Sequence, residues 1–153
     1  MSIIEANLAK LGITLPDAPA PAANYVPYVV VGDMVYVSGQ ISANDDGFIT
    51  GKLGDDCDLD KGTDAAQRCG IALLAQLKAA CGGDIERLVR VVKLTGFVNS
   101  TPDFTQQPAV INGCSDLFAN ALGERGKHAR AAVSAPSLPF GVAVEIEAIF
   151  QIT

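Results

Sequence analysis

Arg130 stands between alanines in the segment KHARAAVSAPSLPFGVAVEIEAIF (residues 127–150), two places after His128, the single histidine of the chain. A guanidinium is a planar, permanently charged fork whose geometry matches a carboxylate. Glu145 and Glu147 follow in a strand-like run. An ion pair from Arg130 to Glu145 or Glu147 is the ordinary structural reading. The functional reading is a small anionic ligand held by Arg130, with Glu145 either a proton-transfer group or a rim charge. Tyr25 opens an apolar run, and Ser38-Gly39 closes the next one, where a glycine lets a ligand approach the main chain. His128 would share a face with Arg130 on a strand, but a loop position is expected for it.

Familiar signatures are missing. The chain has no GxxxxGK[ST] loop, no GxGxxG after a strand, no HExxH and no GxSxG. Cys57, Cys69, Cys81 and Cys114 form no CxxC pair and have no histidine pair nearby, so they read as reduced, buried thiols rather than zinc ligands or disulfides. Any chemistry must therefore use arginine, carboxylates, hydroxyls, main-chain groups and water, without a metal or cofactor. A net charge of −6 argues against general affinity for nucleic acid. No apolar run reaches membrane-spanning length, and the first residues lack a signal-peptide layout, so a cytoplasmic setting is expected.

These residues need positioning elements. Ser2 with Glu5 predicts a capped helix over 2–11, with Ile4, Leu8 and Leu11 on one face. A proline- and alanine-rich linker follows, dividing the chain into an N-terminal segment (1–24) and one domain (25–153). The run YVPYVVVGDMVYVSGQ reads as a hairpin about Gly32-Asp33. Residues 51–62 are acidic and glycine-rich and read as a surface loop, with Thr63 as the cap of a long helix. That helix carries Ala66, Cys69, Leu73, Leu77 and Cys81 on one face and ends at Gly82-Gly83.

The run LVRVVKLTGFV predicts a strand interrupted by Arg90 and Lys93. A second long helix begins near Pro108, with Val110, Cys114, Leu117, Phe118 and Ala121 as its apolar stripe. A final strand pair is broken at 136–139, and in its last run Val142, Val144, Ile146, Ala148 and Phe150 share one face while Ala143, Glu145, Glu147 and Ile149 share the other. Two long helices on one face of a mixed sheet make an α+β domain. With 49% hydrophobic and only 18% charged residues, the chain carries little charge to cover its own surface, which suggests an oligomer.

YVVVGDMVYVSGQIS, VVKLTGFVNSTPDF and ARAAVSAPSLPFGVAVEIEAI, in that order and approximate spacing, resemble the three successive signatures of the Rid family, the YjgF-type proteins also labelled endoribonuclease L-PSP. The resemblance implies a chorismate-mutase-like fold and a homotrimer with clefts between subunits. It also implies cofactor-independent hydrolysis of reactive imines and enamines of the 2-aminoacrylate type to 2-oxo acids and ammonia. By the same resemblance Arg130 holds the substrate carboxylate and Glu145 attends the catalytic water. Tyr25, Ser38 and Gly39 border the ligand, and Phe97 and Asn99 lie where the family has cleft-lining residues. Ala132 occupies a position where many active members carry cysteine, which leaves only its main-chain carbonyl to orient water. A carboxylate binder without turnover is the alternative. Ribonuclease activity fits the acidic, aromatic-poor composition less well.

Overall fold

A computed structural model describes residues 2–20 and 23–153 of the chain. Helix α1 (Ile3–Lys10) starts as the sequence predicts. Glu5 N–H donates to Ser2 Oγ at 3.0 Å, and Ser2 N–H donates to the Glu5 carboxylate at 3.2 Å, a reciprocal capping box. Ile4 and Leu8 are buried, whereas Leu11 has passed the helix end and is exposed. Glu86 fastens α1 to the body, accepting from Ile4 N–H at 2.8 Å while pairing with Arg125 at 3.1 Å.

Strands β1 (Tyr28–Val31) and β2 (Met34–Ile41) form the expected hairpin about Gly32-Asp33, where Gly32 takes φ 61°. A small second hairpin, β3 (Ala43–Asn44) and β4 (Gly47–Phe48), follows. Then come α2 (Leu59–Ala80), β5 (Leu88–Asn99), α3 (Gln107–Leu122), β6 (Ala129–Ala135) and β7 (Val144–Ile152). The main sheet has the order β1-β2-β7-β5-β6, and only its β5–β6 pair is parallel.

α2 and α3 pack on one face of this sheet. Every residue of both predicted helix stripes is buried there, against Val35, Leu94, Val144, Ile146 and Phe150. The helices approach closely because Gly113 has no side chain. A Cβ at that position would lie 2.1 Å from the Thr63 carbonyl oxygen. Among the described residues, no helix covers the opposite sheet face. Tyr36, Val29, Val31 and Val133 point there and are exposed, with Phe97 and Ile149 half-buried among them.

Four sequence expectations need correction. α2 begins at Leu59, not after Thr63. Asp58 is its cap and accepts from Lys61 N–H at 2.8 Å, so the acidic run supplies the helix's first turn. The segment before it is not merely a surface loop, because Leu53 and Cys57 are buried in the core. Ser38-Gly39 lies inside β2 at a register shift between Val37 and Gln40, not at its end. Finally, β6 and β7 do not pair with each other, since β5 lies between them. All four cysteines are free thiols and buried. No helix among the described residues is long and apolar enough to cross a membrane.

Candidate active site

β1 begins opposite Val37, and past Ser38, whose N–H still meets the Pro27 carbonyl, β2 from Gly39 to Ile41 has no strand on that side. A cleft of about 810 Å³ opens there. Its walls include the sheet edge (Gly39, Gln40, Ile41), the segment from Leu11 to Ala20, the α2 residues Arg68, Ile71 and Gln76, and the aromatic pair Phe48 and Phe140. Glu145 and Tyr25 line it as well.

Glu145 extends from β7 opposite Ile41 on one side and Phe97 on the other. Its carboxylate lies over Gly39. An added Cβ at that glycine would sit 2.2 Å from Glu145 Oε2, so any side chain there would displace the carboxylate from this position. The side chain is half-buried, and that burial, with repulsion from Glu147, pushes its pKa above the ordinary glutamate value of 4.5. A carboxyl group so placed can exchange protons closer to neutrality than a solvated one.

Ser38 positions the entry to β1. Its hydroxyl donates to the Val26 carbonyl at 2.8 Å and its N–H to the Pro27 carbonyl at 2.9 Å. Tyr25 precedes these residues in a bend rather than at a strand start, and it is exposed at the cleft wall. Phe97 is half-buried on the same sheet face as Glu145. Asn99 is buried and engaged internally. Its Nδ2 donates to the Val142 carbonyl at 3.1 Å, and its Oδ1 accepts from Lys52 Nζ at 2.7 Å.

Arg130 lies elsewhere in the chain. It is opposite Leu94 on β6, two strands from β7 and on the helix-facing side, whereas Glu145 is on the other side. The structural ion pair with Glu145 or Glu147 is therefore not formed within the chain, and none of the ion pairs among the described residues includes Arg130. Its Nη1 donates to Ser115 Oγ at 3.0 Å and its Nη2 to the Pro108 carbonyl at 3.3 Å. A guanidinium has five N–H donors, so three stay available to a ligand. Ala132 follows on the same helix-facing side, packed against the core.

Sequence reasoning missed Ser115. His128, in the loop position expected for it, has Nδ1 2.6 Å from the Gly126 carbonyl, and a carbonyl only accepts, so Nδ1 carries the proton. In the neutral ring, Nε2 then accepts from the Ser115 hydroxyl at 2.9 Å. This leaves a lone pair of Ser115 Oγ directed at Arg130. The chain from Gly126 through His128 and Ser115 holds the guanidinium. Its sequence signal was weak, because Ser115 lies 15 residues before Arg130 on a different element.

Residues 5–150 match the model of the YjgF/chorismate-mutase-like family, which carries an endoribonuclease label. The chain is a YjgF-family protein. This YjgF-family chain is 49% identical to Protein TCP17 of Trypanosoma cruzi over 97% of its length and 94% of that protein's. It is 30% identical to a 2-iminobutanoate/2-iminopropanoate deaminase of Dermatophagoides farinae, over 92% of this chain and 94% of that one. A crystal structure of an Agrobacterium tumefaciens protein of unknown function superposes with a TM-score of 0.93 at 49% identity, covering 99% of this chain and 93% of that one.

Proposed function

We propose that this YjgF-family chain is a cofactor-independent hydrolase that converts 2-imino acids, and the enamines that tautomerise to them, into 2-oxo acids and ammonia. The observation that carries the reading is Glu145, a half-buried carboxyl group with a raised pKa, lying over Gly39 in a cleft that also exposes Tyr25. The mite deaminase at 30% identity supports the same chemistry.

The proposed step needs little machinery. An imine carbon is already electrophilic. Water adds to C2 as Glu145 takes one of its protons and delivers it to the imine nitrogen, giving a neutral carbinolamine. Glu145 then takes the carbinolamine hydroxyl proton and passes it to the amino group, so the C–N bond breaks, ammonia leaves and C2=O forms. General acid–base help of this kind contributes about 10²–10⁴-fold. Arg130 clamps the substrate carboxylate through its free donors.

Because Arg130 and Glu145 lie on opposite faces of one chain's sheet, this reading requires Glu145 of one subunit to meet Arg130 of another. A trimer built on the uncovered sheet face is proposed to supply that meeting. The test generates 2-iminobutanoate in situ and follows its loss against trapping by semicarbazide, with Glu145→Gln and Arg130→Lys as controls. Wild-type acceleration that both substitutions reduce supports the reading. Tight binding of 2-oxobutanoate without any acceleration would replace it with a carboxylate binder.

A further inference from the structure

The cleft is larger than a three- or four-carbon imino acid needs, and the part beyond Glu145 has its own chemistry. Arg68, half-buried on α2, is the only cation among the described lining residues, and it makes no hydrogen bond or ion pair among the described residues. Phe140 and Phe48 stack at a ring separation of 5.0 Å on the same cleft wall. Phe140 is 62% exposed, and it is the one described non-glycine residue with positive φ, at 58°. A bulky residue held in the left-handed region is strained, and such strain concentrates where ligands are clamped. Along the same helix floor, Gln76 is almost fully buried. Its Nε2 donates to the Pro19 carbonyl at 2.6 Å, while its Oε1 has no partner among the described residues. This end of the cleft is thus walled by the segment before the main domain and left with unused polar capacity.

We propose that Arg68, with the Phe48–Phe140 wall, forms a side-chain pocket that selects 2-imino acids whose apolar chain ends in a carboxylate. The reactive end of the substrate lies at Glu145 and Gly39, the methylenes lie against the two rings, and the distal carboxylate meets the Arg68 guanidinium. The inference rests on the deaminase reading for its substrate class. Asp45 and Glu145 are the acidic groups lining the cleft, so Arg68 is the feature that can offset their repulsion of a second carboxylate.

The test compares chain-matched pairs, the imino acids formed by oxidases from norvaline and glutamate, and from norleucine and 2-aminoadipate. Calorimetric Kd values for the corresponding 2-oxo acids form a second, turnover-independent arm. At least one diacid should exceed its neutral partner about 10- to 100-fold, the worth of a charge-assisted contact. Arg68→Gln should abolish that advantage, read as the diacid-to-neutral ratio within each pair. Phe140→Gly, which relieves the left-handed strain, should weaken binding of both six-carbon compounds several-fold without lowering the melting temperature. No diacid preference in either pair, or a preference that survives Arg68→Gln, overturns the pocket. Absence of turnover with every imino acid overturns the deaminase reading alone, because the Kd comparison still decides the role of Arg68.

Discussion

Glu145 combines a stability cost with a chemical use. Folding raises its pKa, so the folded protein holds that proton more tightly than the unfolded chain does. Stability from this group is therefore full below the ordinary value of 4.5 and is lost as pH rises through the folded value. Glu145→Gln should remove that loss, keeping or raising the melting temperature at pH 7 while turnover falls about 100-fold or more. Thermal melts beside steady-state rates check both halves. Since Glu147 contributes repulsion, Glu147→Gln should move the acid limb of the pH–rate profile to lower pH, and an unmoved limb would assign that limb to another group. Ser115→Ala removes one acceptor from Arg130. KM should rise about fivefold with kcat little changed, the value of one hydrogen bond near 1 kcal/mol. A lower melting temperature at constant KM would instead make Ser115 a brace between α3 and β6.

At the scale of elements, the layer of helices depends on glycine where backbones meet. Gly113 faces the Thr63 carbonyl on α2, and Gly70 faces Cys114 and Leu117 across the same seam. Backbone cannot yield as a flexible side chain can. Gly113→Ala should therefore destabilise the protein by about 1–3 kcal/mol or more despite alanine's better helix propensity. Urea denaturation monitored by circular dichroism would measure it, and a neutral result would mean that α2 and α3 can separate without loss. The proline- and alanine-rich stretch also acquires a role at this scale. It lies against α2 through Gln76 and Pro19 and completes the cleft wall instead of merely tethering α1.

For the whole molecule, the decisive feature is a sheet with one covered face. Tyr36, 46% exposed, stands among valines and half-buried aromatic and aliphatic residues on the other face. An apolar surface of that extent is the kind that associates. The proposed trimer predicts a single species of three chains by light scattering. Tyr36→Lys should dissociate it to monomers and eliminate turnover, although Tyr36 lies outside the 810 Å³ cleft. A monomeric wild type would refute the shared site, and an active monomeric Tyr36→Lys variant would place Arg130 outside the reaction.

The sequence by itself determined the elements whose signals are local. The capping box at Ser2 and Glu5, the hairpin at Gly32-Asp33, the stripes of α2 and α3 and the alternation of β7 each arise between residues a few places apart, where periodicity and turn chemistry act. It also marked Glu145, Gly39 and Tyr25, which the fold does bring to one cleft. Tertiary structure decided what depends on distant contacts. Asp58 displaced Thr63 as the cap where buried Leu53 and Cys57 anchor the segment to the body, while the acidic residues around them stay exposed. β5 entered between β6 and β7 because strand order is set by packing beneath the helices, not by succession along the chain. Arg130 was separated from Glu145 for the same reason: residues 15 apart in sequence were carried to opposite faces of one sheet. Arg68, Gln76 and Phe140 had no local pattern to distinguish them, and only the cleft that folding builds gathers around it a cation and an amide oxygen without partners among the described residues and an aromatic residue with left-handed backbone.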